Sequence, residues 1–484
     1  MKKLLLGITT LLLSSLWANA QSHDITFKVN GLGENDTLIV ASYMYESHKI
    51  IDSVVLDATG TGHLKGPGLL QAGIHIVLLP SHYYVEMVIP YDDQEFYFEF
   101  DTTLKIDNQR FEGSQDNDAF LAYNQFTQKI GLESEASIKV LKDPKASKEA
   151  KEQARKEKRG YDKQVLEFRD KLIAANEGTF MATIWTALKD IEIPEEVKKD
   201  TNPDAEFNYF RDHFWDHYDL GENGFARTPF FTKRLHYYFE KMFPQQPDTI
   251  IKAIDALASI MEEKGGHDLF HYTVWWNTRH YEESKLMCMD KVLHHMAKNY
   301  YCAGRCDWAD TAMVNKMCTH AAKIEGILCE KVAPDLRMYD TSFRRAYDLH
   351  KIDAPVTVLI FWDIHCGHCK KEIPKLKEFY DTMRSKGIVV YAVYTQGDVE
   401  GWKKYIRDNK LDWLNVMDPY LKSKFRDKYN ILTTPQLYIL DKDKKIKFKL
   451  VPAESVGGVV EYLLKKQEEE AEKEKMVDPI PGSN

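Results

Sequence analysis

The chain has 484 residues, too many for one domain of typical size, and about three domains of roughly 150 residues each are expected. Its hydrophobic fraction of 44% is ordinary for globular proteins, so each part has the means to bury a core. The formal net charge of −9 is spread through segments of mixed sign, which favours solubility and gives no sign of a nucleic-acid-binding surface.

Residues 1–20 have a separate job. Lys2-Lys3 is a short basic head, Leu4 to Leu16 a short apolar core, and Ala18-Asn19-Ala20 a small-residue cleavage site, the form of a secretory signal peptide. A membrane span needs about 20 apolar residues, more than this run supplies. No cysteine follows the cleavage site, so lipid anchoring is not indicated. The mature protein is expected to begin near Gln21 as a soluble, exported protein in a compartment that admits disulfides.

From residue 21 to 112 the pattern is β. Ile25, Phe27 and Val29 alternate with polar residues, as do Phe96, Phe98 and Phe100. Leu38 to Val40, Ile74 to Leu79 and Tyr83 to Ile89 supply further apolar runs, parted by turn signals such as Gly60-Thr61-Gly62 and Gly66-Pro67-Gly68. Short strands at this spacing predict a small antiparallel β-sandwich, with no catalytic cluster in it. Residues 113–328 turn helical. Asp143 to Lys163 is almost wholly charged, which fits a solvated helix face or a loose linker. Ala205 to Pro244 is dense in aromatics, among them Phe207, Phe214, Trp215, Tyr218, Phe231, Tyr237 and Phe239. Helical core is the expected use of such rings; the alternative is a surface that receives a partly folded client, with Trp275 and Trp276 as additions.

Cys288, Cys302, Cys306, Cys318 and Cys329 fall in or at the end of this helical part. Cys302-Ala-Gly-Arg-Cys306 straddles a glycine suited to ending one helix, with Asp307 able to cap the next, and a local Cys302–Cys306 disulfide is expected. Zinc held by Cys302, Cys306, Cys318 and His320 is the rival reading, but the spacing fits no strong zinc pattern and the compartment favours oxidation. Cys318 and Cys329 on one continuous helix would lie about 16 Å apart, beyond bonding range. The remaining pairings stay open.

Residues 329–467 hold the stretch with chemistry. Val356 to Trp362 is a continuous apolar run, read as a strand buried on both faces. It ends at Cys366-Gly367-His368-Cys369, and Ile373, Leu376, Phe379, Tyr380 and Met383 follow at helical spacing. Strand, Cys-x-x-Cys, helix puts Cys366 at a helix N-terminus, where unpaired N–H groups and the macrodipole favour the thiolate. A thiolate is the attacking species in disulfide exchange, and Cys369 stands close enough to displace a trapped mixed disulfide. Gly387 to Tyr394 reads as a second strand, and Trp402 to Asn409 and Tyr420 to Tyr429 as helices. Thr434 to Leu440 and Ile446 to Leu450 read as strands joined by a turn, and Ser455 to Lys466 as a closing helix. Alternating strands and helices predict an α/β sheet with helices on both faces. Residues 468–484 read as a charged, frayed tail. The whole is multidomain: β-sandwich, α-helical domain, then α/β domain.

Ala333-Pro334-Asp335, Phe361-Trp362, Cys366-Gly367-His368-Cys369, Lys370-Lys371-Glu372, Pro374, Thr434-Pro435 and Asp441-Lys442-Asp443, in this order, resemble the TlpA/ResA-like thiol-disulfide oxidoreductases of the cell envelope, which have the thioredoxin fold. The resemblance covers under a third of the chain. The β and helical parts more loosely resemble accessory domains of unknown function attached to such proteins in Bacteroidetes. The resemblance implies that Cys366 is the exposed nucleophile and Cys369 the buried resolving thiol. It implies that Thr434-Pro435 forms a cis-proline turn beside them, offering backbone groups to a client strand. Glu372 matches an acidic residue that serves the resolving cysteine, since a half-buried carboxylate can take its proton; a surface glutamate favoured by the helix dipole is the alternative. Trp362, His365 and His368 are expected on the client-binding surface. No cofactor is implied beyond the redox-active Cys366–Cys369 disulfide. A metal held by His365, Cys366, His368 and Cys369 would crowd four ligands into a turn. The implied partners are proteins carrying thiols or disulfides, together with a membrane redox partner, in the periplasm or cell envelope.

Three departures from the family matter. His365 stands where the family has Trp. Ile360 stands where thioredoxins proper have a buried aspartate just before the Phe-Trp pair, so proton handling falls to Glu372 or water. Gly-His between the cysteines resembles protein disulfide isomerase and eases reduction of the disulfide. The dipeptide points to an oxidant or isomerase and the family to a reductant, so the direction stays open. Asp363 stands where a peroxiredoxin needs Thr or Ser. The expected function is exported thiol-disulfide exchange with proteins; the rival is a non-catalytic envelope binding or scaffold protein whose thioredoxin-like domain is structural.

Overall fold

The computed structural model describes residues 22–477; the signal-peptide reading and the last residues of the expected tail lie outside the described residues. The chain divides into two compact units, one running up to Tyr238 and taking in Ile260–Tyr272, the other made of Phe239–Ser259 and the chain from Thr273 on. No described helix is long and apolar enough to cross a membrane.

The first unit opens with strands β1 (Ser22–Asn30), β2 (Thr37–Met44), β3 (Ser47–Val55), β4 (Thr61–Pro67), β5 (Gly73–Leu78), β6 (Tyr84–Ile89), β7 (Glu95–Asp101) and β8 (Arg110–Glu112). They form two four-stranded sheets, ordered β4-β1-β7-β8 and β3-β2-β5-β6. Because successive side chains alternate faces, Ile25, Phe27 and Val29 of β1 and Phe96, Phe98 and Phe100 of β7 all point inward. They share one core with Leu38, Val40, Val77, Val85 and Met87 of the other sheet. The sandwich is not wholly antiparallel as the spacing predicts: β1 and β7 run parallel, with Phe27 beside Phe98. A parallel pair cannot close through a tight turn, and here the whole second sheet lies between the two in sequence.

Helices Gln115–Lys142 and Lys148–Ala175 follow. Only Ala154 of the second is buried, so the charged stretch is a solvated helix, started by the Ser147 side chain accepting from the Ala150 N–H. In the aromatic stretch Phe214, Tyr218 and Phe231 are buried. The Arg234 guanidinium lies 4.2 Å over the Phe214 ring. Phe207 and Tyr237 remain 44% and 49% exposed, so the rings are not all core.

The second unit holds a seven-stranded sheet of β9 (Arg337–Asp340), β10 (Ala346–Asp348), β11 (Val356–Trp362), β12 (Val389–Tyr394), β13 (Leu414–Met417), β14 (Gln436–Asp441) and β15 (Ile446–Lys449), ordered β10-β9-β13-β12-β11-β14-β15. β11 runs parallel to β12 and antiparallel to β14. Every residue of β11 is buried, as its unbroken apolar run predicts. Val356, Val358, Ile360 and Trp362 face the helices Gly367–Met383 and Val456–Val477. Leu359 and Phe361 face the other way, onto Tyr429, Tyr438 and Phe425.

Two expectations fail locally. Tyr420–Tyr429 is helical only over Phe425–Lys428, because the Asp418 carboxylate accepts from the Tyr420 and Ser423 N–H groups (3.3 and 2.6 Å) and winds the intervening segment into a loop. The closing helix does not stop at Lys466; it runs to Val477, and Lys465–Glu469 and Lys466–Glu470 form i,i+4 pairs along it.

The cysteine pairing also differs. Cys302 bonds Cys318, not Cys306, and Cys288 bonds Cys329. The helix Thr311–Ile324 folds back so that the Cα atoms of Cys302 and Cys318 lie 5.8 Å apart, a separation suited to a bond. Cys306 is buried. The two bridges differ in access: Cys302 is exposed and Cys318 half-buried, while Cys329 is packed into the core on one face of the sheet. A reductant must reach a sulfur to attack it. Graded dithiothreitol followed by alkylation and mass spectrometry is therefore expected to label Cys302 and Cys318 before Cys288 and Cys329; the opposite order would refute the argument from access. Lys449, buried on β15, donates to the Ile327 carbonyl at 2.8 Å and pairs with the Asp290 carboxylate, a second tie between sheet and helices in this unit.

Candidate active site

β11 ends at Trp362, and a short turn carries the chain to Cys366, which caps the helix Gly367–Met383. The turn is closed by the Cys366 N–H donating to the Asp363 carbonyl (3.3 Å) and the His365 N–H donating to the Asp363 carboxylate (2.9 Å). The antiparallel pairing of β14 with β11 sets Gln436 beside Phe361. This register delivers Thr434 and Pro435, joined by a cis peptide bond, to the cysteines.

The half-buried Cys366 sulfur sits between two backbone groups. Its S–H donates to the Thr434 carbonyl at 3.1 Å, and the Cys369 N–H donates to the sulfur at 3.4 Å. Burial works against ionisation, but the Cys369 and His368 N–H groups at the helix start and contact with Thr434 outweigh it, so the Cys366 thiol lies below the ordinary thiol range. Cys369 lies on the inner side of the same helix turn, fully buried. Burial pushes its thiol up to about 12, and its neighbour Cys366 adds to the effect. One sulfur is thus eased toward the thiolate and the other held protonated.

The flanking residues sort by exposure. His365 and His368 are exposed on either side of Cys366. His365 Nε2 lies 3.4 Å from the Asp398 carboxylate, whose other oxygen caps the helix Val399–Asp408 at the Gly401 N–H. Trp362, expected at the client surface, is fully buried. Its place at an even position of β11 turns the indole into the core against Tyr394 and Tyr405, so it supports the site from beneath and cannot touch a docked client. Glu372 accepts from the Ala453 N–H at 2.7 Å and from the Lys375 ammonium at 3.1 Å. Burial would raise this carboxyl, but those two donors outweigh it and hold it below the usual range.

A groove of about 490 Å³ runs alongside the site, lined by His368, Glu372, Thr434, Pro435, Leu450 and Pro452 among others. Leu450 and Leu432, the latter just ahead of Thr433 and Thr434, stay 64% and 81% exposed. Leu432 lies in a loop that no periodicity signals, and Leu450, expected as the last residue of a strand, lies just past its end at Lys449. Among the described residues no group of three or more His, Cys, Asp or Glu side chains is placed to hold a metal ion.

Two family models match the chain: one described as thioredoxin-like over residues 355–446, and a domain of unknown function, DUF5106, over residues 143–323. The chain is 33% identical over 100 residues to the sporulation thiol-disulfide oxidoreductase A of Bacillus subtilis, which covers 20% of this chain and 59% of that protein. It is 24% identical over 135 residues to the thiol-disulfide oxidoreductase ResA of Bacillus cereus, across 28% of this chain and 76% of the relative. Among solved structures, a domain of a possible thiol-disulfide isomerase from Cytophaga hutchinsonii is 39% identical, with 29% of this chain and 97% of that chain covered and a TM-score of 0.28. The C-terminal part of the chain is thus thioredoxin-like and similar to thiol-disulfide oxidoreductases, and a domain of unknown function precedes it.

Proposed function

We propose that the protein is an exported thiol-disulfide oxidoreductase of the cell envelope, acting on proteins through Cys366 and Cys369. The observation that carries this reading is the contrast between a half-buried sulfur at a helix N-terminus, favoured as thiolate, and a buried thiol one helix turn behind it. The Cys366 thiolate attacks a client disulfide and forms a mixed disulfide, and the leaving client thiolate takes up a proton. Cys369 then loses its proton and attacks the Cys366 sulfur. The second client thiol is released and Cys366–Cys369 is left oxidised. Run backwards, the same steps oxidise a client.

Thr434 and Pro435 offer backbone groups to an extended client segment, and His365, His368 and exposed Leu432 and Leu450 form the surface it meets. Catalysed reduction of insulin disulfides by dithiothreitol tests the reading: acceleration by the wild-type chain is expected, and none would overturn it. Equilibration of the pair with glutathione sets the direction. A pair more reducing than glutathione assigns a reductase supplied by a membrane electron donor, and a milder one an isomerase.

Glu372 is assigned an anchoring role, tying the segment that follows β15 to the redox helix. Glu372→Gln is expected to cost about 1–2 kcal/mol of stability in urea unfolding, because it removes the charge from two hydrogen bonds. Insulin turnover is expected to change by less than about threefold, since a carboxyl held low is a weak base near neutral pH. A large loss of turnover at unchanged stability would restore Glu372 as the proton acceptor.

A further inference from the structure

The end of the sheet that carries Cys366 also gathers exposed apolar side chains. β12 runs parallel to β11 and β13 parallel to β12, while β14 runs antiparallel to β11 and β15 antiparallel to β14. The segments leaving β11, β12, β13 and β15 and the segment entering β14 therefore share one end of the sheet. Cys366 follows β11, Tyr420 and Leu421 follow β13, Leu432 and Thr434 precede β14, and Leu450 follows β15. Among the described residues from 329 on, six large apolar side chains are exposed. Four of them crown this end: Leu432, Leu450, Tyr420 at 60% and Leu421 at 78%.

Two of these leucines are disfavoured twice over. Leu421 and Leu450 have φ of 51° and 53°, in the left-handed region where a leucine is strained and Gly or Asn is the usual occupant. Each is also mostly exposed, so no burial offsets the strain. Their neighbours hold them there. The Asp418 carboxylate accepts from the Tyr420 and Ser423 N–H groups, and its carbonyl accepts from the Leu421 N–H at 3.3 Å. The Leu450 N–H donates to the Leu437 carbonyl at 2.7 Å. Backbone strain that packing does not call for clusters where a surface has work to do.

We propose, resting on the thiol-disulfide reading, that this end of the sheet selects unfolded client segments: an extended stretch of about six residues, its disulfide-bonded cysteine near the middle and apolar side chains on both sides. Neighbouring strands lie about 4.8 Å apart, so β13 and β15 stand about 10 Å to either side of β11. A segment crossing from Leu421 over the Cys366 sulfur to Leu450 covers about 19 Å, or about six residues at 3.3 Å each. Leu450 lines the same groove as Thr434 and Pro435, and the Thr434 carbonyl lies 3.1 Å from the sulfur, so the apolar surface is continuous with the point of attack. On the other side the Tyr420 ring stands edge-on to Tyr339 at 5.6 Å. Cysteine, leucine and valine are among the residues most often buried in folded proteins. A segment that presents them together comes from a client that has not reached its fold or has lost it. A small polar disulfide such as oxidised glutathione has no apolar side chain to lay on the leucines. The exchange keeps its balance: the Cys366 sulfur bonds to the client sulfur, and the displaced thiolate leaves with the electron pair.

Two capped hexapeptides test this on the reduced full chain. One has its central cysteine among leucine and valine, the other among serine and glycine. Each cysteine carries thionitrobenzoate, whose release reads attack by Cys366, and each rate is divided by that of the same peptide with N-acetylcysteine. The apolar peptide is expected to react at least about twentyfold faster, since half-burying a leucine at each end is worth about fivefold apiece. Leu421→Asn, Leu432→Ser and Leu450→Asn are each expected to lower that ratio about fivefold. Asparagine tolerates the left-handed backbone, so the thermal midpoints of the two Asn variants should stay level or rise. A ratio near one in the wild type, a ratio that survives all three substitutions together, or a midpoint lowered by either Asn variant overturns the client assignment. A wild type that releases no thionitrobenzoate from either peptide overturns the exchange reading itself.

Discussion

Replacing Cys366 with Ser is expected to abolish catalysed insulin reduction, a loss of about a thousandfold or more, because in the proposed mechanism the residue removed is the nucleophile that opens the client disulfide. The companion change is expected to fail differently. Cys369→Ser leaves the helix N-terminus and the Thr434 contact in place, so attack still occurs, but nothing displaces the client. Mixed disulfides should then accumulate as slower bands on non-reducing gels and vanish on adding dithiothreitol. Activity that survives Cys366→Ser would assign the work to another part of the chain and return the scaffold reading.

The second large effect is a contrast in thiol reactivity. Cys366 is held below the ordinary thiol range, and burial pushes Cys369 up to about 12. Each pKa unit changes the thiolate fraction tenfold below both values, so in the reduced protein near neutral pH Cys366 should be alkylated by iodoacetamide at least about a thousandfold faster. The sign with pH follows. Cys366 labelling rises as pH approaches its lowered pKa and then levels off, while Cys369 labelling keeps rising into strongly alkaline solution. Mass spectrometry of the labelled peptide at several pH values reads both curves. Comparable labelling of the two cysteines at neutral pH would refute the assignment of one attacking and one sheltered thiol.

What the sequence revealed of the site was set by local rules. A seven-residue strand, apolar but for Thr357, followed by Cys-x-x-Cys and a helical stripe can hardly fold otherwise, and Val356–Trp362 and Gly367–Met383 lie where those rules place them. The short strands β9, β10 and β13 gave no such signal; β10 is half-buried throughout and takes its place from pairing across the sheet. The local disulfide at Cys302–Cys306 is plausible by proximity in sequence, but a helix folding back brings Cys318 within bonding distance of Cys302. Trp362 was misplaced for a related reason. The Phe-Trp pair is legible, but a strand buried on both faces gives no polar alternation to say which of its residues lies near solvent.

The Cys288–Cys329 bridge and the Lys449–Asp290 pair together bear on how the thioredoxin-like domain could have been passed between proteins. A cut at residue 329 would strip the bridge from Cys329, leave the buried Lys449 ammonium without its counter-charge at a cost of about 3–5 kcal/mol, and bare the face of the sheet that Ile324, Ile327 and Leu328 cover. The unit that could be transplanted intact therefore begins before Cys288, and the end of the helical region is inherited with the redox site.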